Sequence, residues 1–157
     1  MASYDWTWQT GPELDPGELY ALLSLRVAVF VVEQQCPYQE LDGHDLHAST
    51  HHLRVLTKHH LAATLRLKVP EERDKPVSIG RVVIDPDHRG NGLGHDLLQA
   101  ALMRIESLWP GRHARLSAQA HLQAYYGRHG FEPVGEIYVE DGIPHIDMQR
   151  DAGHQEK

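Results

Sequence analysis

The chain has 157 residues, 41% of them hydrophobic and 24% charged, a composition typical of one soluble globular domain. Lys and Arg number 15 against 22 Asp and Glu, and the resulting formal charge of −7 argues against nucleic acid or anionic membrane as a partner. The apolar run Val27 to Val32 is far too short to span a membrane, and the single cysteine, Cys36, excludes an internal disulfide. The opening residues do not resemble a secretory leader, so we expect a cytoplasmic protein.

Residues 4–84 predict a strand, a helix and then three more strands. Tyr4 to Gln9 alternates aromatic and polar side chains, as a strand does. Asp15-Pro16-Gly17-Glu18 supplies a helix cap, a proline at the first turn and an acid, and the helix continues to near Gln35 before Pro37. Residues 37–49 are polar and acidic and predict a loop. The runs 53–57, 61–69 and 77–84 predict strands that are antiparallel neighbours because short turns join them.

The second half predicts a crossover helix, a strand, a short helix and a hairpin. A helix over 92–109 leads to a strand over 114–118, which makes a right-handed parallel crossover. A helix over 122–129 ends at Gly130, and strands over 134–140 and 143–149 flank the turn Asp141-Gly142. We therefore predict an α/β (α+β) fold: a mixed, mostly antiparallel sheet with one parallel junction, flanked by helices. It occupies one domain over 1–150, followed by a polar tail over 151–157.

The glycine-rich stretch between the fourth strand and the crossover helix predicts an anion site. Glycines let the backbone approach a ligand, and the first turn of a helix offers free N–H groups and a positive dipole end. A P-loop requires Lys-Ser/Thr directly after its glycines, and no such pair follows the glycines here. The spacing Gly90-x-Gly92-x-Gly94 also departs from the dinucleotide fingerprint, and no strand–helix–strand unit precedes it.

Two motifs resemble the GNAT superfamily of N-acetyltransferases. Arg89-x-x-Gly92-x-Gly94, preceded by Ile84-Asp85-Pro86, is similar to the coenzyme A loop of that family. The segment Tyr126-Gly127-Arg128-His129-Gly130-Phe131 matches its Tyr-x-x-x-Gly-Phe pattern. The element order agrees with the GNAT fold, in which the parallel junction is splayed. Further stretches of this chain resemble one branch of the family, the ElaA-like acyltransferases. They are 25–27, 31–34, Cys36-Pro37-Tyr38, 40–43 and 140–145.

The resemblance implies an enzyme that transfers an acetyl group from acetyl-coenzyme A (acetyl-CoA) to an amine by direct attack in a ternary complex. It implies that a backbone N–H near Val83 polarises the thioester carbonyl and that Tyr126 protonates the departing thiolate. Gln119 stands where many relatives have asparagine. The neighbouring Tyr125 is expected to point about 100° away from Tyr126. The residues that the resemblance assigns to the cofactor are Val82, Val83, Ile84, Arg89, Gly90, Asn91, Gly92, Leu93, Gly94, His95 and Gln119.

The acceptor side is less defined. An alkyl ammonium must lose a proton before it attacks, and Glu33, Glu40 and His145 are candidate substrate-binding residues and bases, with a relayed water as an alternative. Acids at 33, 40, 42, 140 and 141 favour a cationic small-molecule or peptide amine. The 13 histidines show no sustained ligand spacing, so we predict no metal. A non-catalytic acyl-CoA-sensing domain and a nucleotide-binding module are the rival functions, and a homodimer is left open.

Overall fold

The structure, a computed structural model, describes residues 3–58 and 60–153; of the tail predicted over 151–157, residues 154–157 lie outside the described part. Within that part the helices are α1 (Pro16–Arg26), α2 (Leu93–Leu108) and α3 (Gln123–Gly127). The strands are β1 (Asp5–Thr10), β2 (Thr50–Leu56), β3 (Leu61–Lys68), β4 (Val77–Ile84), β5 (Ala114–Gln119), β6 (Glu132–Pro133), β7 (Tyr138–Glu140) and β8 (Ile143–Arg150).

These strands form one mixed sheet in the order β1-β2-β3-β4-β5-β8, and β8 also pairs with both β6 and β7. The parallel pair is β4–β5, and it covers only Val77 opposite Ala114 and Ser78 opposite Arg115. Beyond Ser78 the two strands separate. The predicted mixed sheet with one parallel, splayed junction is therefore confirmed, and the splay opens a cleft in the middle of the sheet.

Helices cover the two faces of the sheet unequally. The side chains of Ala63, Leu65 and Leu67 point to the face covered by α2 and belong to the main hydrophobic core. The alternate residues Thr64 and Arg66 point to the other face, where α1 packs, because side-chain direction alternates along a strand. A second apolar cluster lies there and comprises Leu22, Leu25, Val29, Leu61 and Val83.

A β-bulge interrupts β4 where the splay begins. Thr64 pairs with Val83 and Arg66 pairs with Gly80, so Arg81 and Val82 both lie opposite Leu65. Arg81 has a φ of 50°, in the left-handed region that non-glycine residues rarely adopt. A bulge shifts the alternation of side chains by one residue. As a result Ile79 faces the α2 side and Val83 faces the α1 side.

Two predicted elements differ in the structure. The first long helix is α-helical only to Arg26 and continues as a π-helical segment, Val27–Glu33, in which the N–H of Gln34 donates to the carbonyl of Val29 over 3.1 Å. Four valines in this segment crowd the α-helical turn. The strand predicted over 134–140 is reduced to β7, because Gly135 adopts a φ of 91° and breaks the ladder.

None of the helices in the described ranges 3–58 and 60–153 has both the length and the apolar character that crossing a membrane requires.

Candidate active site

A cavity of about 580 Å³ lies in the splay between β4 and β5. One wall is the bulged part of β4, with Gly80, Arg81 and Val82. The opposite wall is the end of β5, with Ser117 and Gln119. The remaining walls come from α2, α3, the π-helical segment with the loop after it, and the β7–β8 turn, and they contribute Gly94, Leu98, Tyr125, Tyr126, Phe30, Gln34, Cys36, Tyr38, Glu140, Asp141, Ile143 and His145.

The glycine-rich stretch from Gly90 to Gly94, which we call the glycine loop, forms the rim of this cavity at the start of α2. Gly90 and Gly92 have φ values of 86° and 84°, so each needs the conformational freedom of glycine, and Gly92 is the N-cap of the helix. The Asn91 side chain ties the loop down: its Oδ1 accepts from the Leu93 N–H at 3.3 Å, and its Nδ2 donates to the Tyr4 hydroxyl at 3.2 Å. The first-turn N–H groups of this 16-residue helix and its positive dipole end suit an anionic ligand.

The predicted loop residues have distinct places. Gly94 and Val82 line the cavity, whereas Val83 and Leu93 are buried in the apolar clusters. Ile84 packs next to Gly94, with its Cδ1 only 3.6 Å from the position that a Cβ on Gly94 would take. The His95 ring points to His129, with 3.4 Å between His95 Nδ1 and His129 Nε2. Their contacts to a cofactor stay predictions.

Arg89 and Glu33 pair with each other. The guanidinium of Arg89 lies 2.8 Å from Glu33 Oε2 and also donates to the Ile84 carbonyl at 3.2 Å. Glu33, predicted as a substrate-binding residue, therefore lies beside the glycine loop and not on the cavity wall. Its carboxylate is engaged by the arginine that was assigned to the cofactor.

Tyr126 points into the cavity from α3. Its ring packs edge-to-face against Phe131, with centroids 6.2 Å apart, which anchors the ring in the core. Its hydroxyl has no hydrogen-bond partner among the described residues. Burial, followed by the neighbouring Tyr125, raises the pKa of the Tyr126 phenol. Tyr126 therefore keeps its proton at neutral pH and can donate it within the cavity.

Tyr125 also lines the cavity, although consecutive residues of a helix point about 100° apart. The two rings contact edge-to-face at 5.1 Å, and the Tyr125 hydroxyl lies 3.8 Å from the position of a Cβ on Gly94. The reason is that α3 is a single short turn at the mouth of the splay, so both of its tyrosines border the opening. Tyr125 reaches the glycine loop, and Tyr126 reaches the interior.

Glu40, the second predicted substrate-binding carboxylate, is a structural ion. It is 3% exposed, and its Oε2 accepts from Arg26 Nε at 2.9 Å and Arg81 Nε at 2.8 Å. Its Oε1 accepts from the Tyr38 hydroxyl at 2.6 Å. Both oxygens are engaged in the structure, because a buried carboxylate is stable only when it is paired. A role for Glu40 in binding or deprotonating an amine stays a prediction.

Glu40 belongs to a larger cluster that we call the arginine–acid cluster: Arg26, Arg66, Arg81, Glu40, Asp42 and Asp45. Four members are buried, whereas the side chains of Arg81 and Asp42 are 25% and 24% exposed. Asp45 bridges Arg26 at 2.6 Å and Arg66 at 3.0 Å. Burial alone would raise the pKa of Asp45, but Arg26 and Arg66 outweigh it and the pKa is lowered. The pKa of Asp42 is likewise lowered by Arg66 against the effect of burial. The cluster ties the 37–49 loop to α1, β3 and the β4 bulge.

The last predicted substrate residue, His145, lies on the cavity wall. It is on β8, in register with Gln119 of β5, and both side chains line the cavity. The turn that precedes it places Glu140 and Asp141 at the mouth. Sequence reasoning missed Ser117, Tyr138 and Asp147 on the same face. Alternation of buried and polar residues along β5 and β8 is the signal that indicates them.

Within residues 3–58 and 60–153, no group of three or more His, Cys, Asp or Glu side chains is arranged to hold a metal ion. His60 and His88 form a hydrogen bond with each other through their Nε2 atoms, which lie 2.8 Å apart.

Comparison with known proteins agrees with this geometry. Residues 23–152 match the family described as "Acetyltransferase (GNAT) domain". The chain belongs to the GNAT acetyltransferase family. It is 46% identical to Protein ElaA of Escherichia coli over 140 residues, covering 89% of this chain and 92% of ElaA. A UPF0039 protein of Mycobacterium bovis is 46% identical over 147 residues, with 91% and 90% covered.

A solved structure also matches closely. The crystal structure of an acyl-CoA N-acyltransferase from Pseudomonas aeruginosa superposes with a TM-score of 0.91 at 55% identity, covering 94% of this chain and 99% of that one. The family implies an acyl-CoA donor. The residues at the cavity fit such a group: the glycine loop and the start of α2 would hold its diphosphate, and the splay would admit its thioester arm.

Gly94 offers a sharp test of this fit. A Cβ on Gly94 would meet Ile84 and Tyr125 only at ordinary contact distances, so Gly94→Val is expected to fold normally. The added methyls would stand between the helix N–H groups and a diphosphate. Losing charge-assisted hydrogen bonds of about 1.5–3 kcal/mol should weaken coenzyme A binding roughly 10- to 100-fold in calorimetry. Gly17→Val, in the first turn of α1, is the matched control and should bind normally; equal affinity for both variants would contradict the assignment.

Proposed function

We propose that this protein transfers an acetyl group from acetyl-CoA to a primary amine, by direct attack of the amine on the thioester. The observation that carries the proposal is the coincidence at one cavity of the splayed β4–β5 junction, the glycine loop and the Tyr126 hydroxyl. In the reaction the amine nitrogen forms a bond to the acetyl carbon, the carbon–sulfur bond breaks, and the thiolate takes the Tyr126 proton. The bulge at Arg81 and Val82 supports a polarising role for a backbone N–H of β4.

Family membership and the free Tyr126 hydroxyl favour an enzyme over a non-catalytic acyl-CoA sensor. The distinguishing experiment measures acetyl-CoA affinity by calorimetry and release of the coenzyme A thiol in the presence of amines. Suitable probes are 1,4-diaminobutane, spermidine, lysine amide and butylamine. Amine-dependent thiol release supports the enzyme, whereas tight binding without release with any amine supports the sensor. Displacement of acetyl-CoA by ATP alone would support the nucleotide-binding alternative.

The acceptor that the cavity favours is a cationic amine. Of the acids that indicate such an acceptor in the sequence, Glu33, Glu40 and Asp42 pair with arginines, while Glu140 and Asp141 line the cavity mouth. A carboxylate at an exposed contact contributes up to about 1 kcal/mol to the binding of a cation. Any preference of the cavity mouth for a cationic amine therefore comes mainly from Glu140 and Asp141.

Glu140→Gln and Asp141→Asn are each expected to raise KM for 1,4-diaminobutane up to about 5-fold, from about 1 kcal/mol per charge. KM for the monoamine butylamine should change less, because it lacks the second ammonium group. Asparagine tolerates the φ of 51° at position 141, so the substitution does not strain the turn. Glu132→Gln on β6 is the matched control. Identical KM changes for the diamine and the monoamine would show that Glu140 and Asp141 do not bind the second ammonium group.

A further inference from the structure

We propose that His145 is the base that removes the proton which the bound ammonium must lose before attack, and that Tyr138 is a positioning residue that holds the imidazole. This assignment rests on the proposed function and deepens it. Four observations carry it: the hydrogen bond at one imidazole nitrogen, the place of His145 on the cavity wall, the stack on Tyr138, and the engagement of Glu33 and Glu40 by arginines.

The hydrogen bond of His145 determines which of its nitrogens can accept a proton. Nδ1 lies 2.7 Å from the carbonyl oxygen of Ile143. A carbonyl oxygen can only accept, so Nδ1 carries a hydrogen and donates it. In the neutral imidazole the lone pair is then on Nε2, which has no partner within residues 3–58 and 60–153. The backbone thus holds His145 in the tautomer that a base needs.

The strand register directs His145 into the cavity. Its neighbour Ile146 is buried in the main core beneath α2, so His145 faces the opposite side of the sheet. Gln119 is its partner on β5 and Tyr138 its partner on β7. That part of the sheet is not covered by α1, which packs against β3 and β4. The side that α1 leaves uncovered is open to an acceptor that approaches the splay.

Tyr138 fixes the plane of the imidazole. The two rings stack with centroids 6.0 Å apart and an interplanar angle of 24°. The Tyr138 hydroxyl donates to Asp147 Oδ1 at 2.7 Å and makes a short hydrogen bond with Ser117 Oγ. Asp147 also pairs with Arg115 at 3.2 Å. A ring anchored at its hydroxyl by two strands offers a fixed surface, and this limits the rotation of His145.

The other charged and titratable groups around His145 have different roles. Tyr126 on α3 is assigned as the acid, and Arg81 on β4 is engaged by Glu40. The Tyr38 hydroxyl donates to Glu40. Cys36 is two positions before Tyr38 in the same loop and also lines the cavity. Glu140 and Asp141 lie at the mouth, where they can attract an ammonium. With its lone pair on Nε2, the neutral imidazole of His145 can accept a proton from the ammonium and pass it to solvent.

Each proton that leaves the ammonium can be accounted for in the reaction. The ammonium gives one proton to Nε2, which passes it to solvent. The neutral amine then attacks the acetyl carbon, and the nitrogen loses a second proton as the amide forms. The carbon–sulfur bond breaks and the thiolate takes the Tyr126 proton, which the second amine proton restores through solvent. The net products are the acetylated amine, free coenzyme A and one proton.

The test compares two acceptors with purified full-length protein. 1,4-Diaminobutane is an ammonium at pH 7 and needs the base, whereas trifluoroethylamine is already largely neutral and does not. His145→Gln should lower kcat/KM about 10²-fold with the first amine, the lower end of general-base effects, and much less with the second. Without the base only amine that is already neutral can react, so the acid limb of the pH profile with 1,4-diaminobutane should shift to higher pH in His145→Gln, and the gap to wild type should narrow as pH rises. The Kd for acetyl-CoA should stay unchanged.

Two further variants separate positioning from folding. Tyr138→Phe keeps the stacked ring but loses the bonds to Ser117 and Asp147, so a several-fold fall in kcat with the acid limb retained is expected. His121→Gln, an exposed histidine outside the cavity, should match wild type. Equal losses with both amines in His145→Gln, or an acid limb that does not shift to higher pH, would overturn the assignment while the proposed function stands. A wild-type protein that turns over neither amine would overturn both.

Discussion

Replacing Tyr126 by phenylalanine is expected to lower kcat by about 10²–10⁴-fold, the usual range for losing a general acid, with little change in acetyl-CoA affinity. The ring would still pack edge-to-face on Phe131, so the core should be unaffected. The substitution removes only the hydroxyl. In the wild type, burial raises the pKa of Tyr126, so the hydroxyl is protonated at neutral pH and can act as an acid. Single-turnover measurement of acetyl transfer, with Tm and calorimetry alongside, tests the effect on the chemical step.

The control for this prediction is a tyrosine far from the cavity. Tyr20 on α1 is 77% exposed, and Tyr20→Phe should leave kcat unchanged. Tyr125→Phe is not a neutral control, because its hydroxyl lies beside Gly94 at the glycine loop. We expect that variant to weaken acetyl-CoA binding modestly and to spare kcat. If Tyr126→Phe lost thermal stability but kept a wild-type chemical step, the tyrosine would have a packing role only.

The largest effect on stability is expected at Arg26. This arginine is 1% exposed and pairs with both Glu40 and Asp45. Arg26→Met fills similar space but leaves two buried carboxylates without their main counter-ion. Removing one partner of a buried ion pair typically costs about 3–5 kcal/mol, so the free energy of unfolding in urea should fall by about that much. The exposed Lys75 pairs with Glu72 at 3.7 Å, and Lys75→Met is the matched control, expected to cost less than about 0.5 kcal/mol.

The same cluster predicts a dependence on pH. The pKa values of Asp42 and Asp45 are lowered in the folded state, so the folded protein binds fewer protons than the unfolded chain at acid pH. Their contribution is therefore fully present above about pH 4, the ordinary carboxyl range, and is lost as pH falls toward the folded values. Urea unfolding between pH 7 and pH 2 should show this fall in wild type and a shallower one in Arg26→Met. Parallel curves would show that Arg26 does not lower the pKa of Asp45.

Much of the fold could be predicted from local patterns. The strands β2 to β5 and the helix α2 lie where alternation, helical periodicity and turn residues indicated them. The helix cap predicted at Asp15 forms, with the Glu18 N–H donating to Asp15 Oδ1 at 2.7 Å. These features depend on residues a few positions apart. Local sequence therefore determines them before the chain is folded.

The glycine loop and the Tyr-x-x-x-Gly-Phe segment were also recognisable for a physical reason. Gly92 must adopt a left-handed φ and serve as the N-cap, and few other residues can do so without strain. Tyr126 and Phe131 are five residues apart and contact each other directly. The resemblance to the GNAT family, and not their local geometry, assigned these residues to a coenzyme A site, and local geometry explains only why the motifs need these residue types.

The roles of the acidic residues were decided only by tertiary structure. Glu40 and Arg81 are 41 positions apart, and Glu33 and Arg89 are also distant, yet each pair forms an ion pair in the fold. Whether a carboxylate is free or neutralised depends on such long-range partners, which periodicity does not reveal. The tautomer of His145 and the orientation of Tyr125 depend on the β8 register and on the position of α3 at the splay. Local sequence thus determined which elements form, and the packing of those elements decided which side chains are available for chemistry.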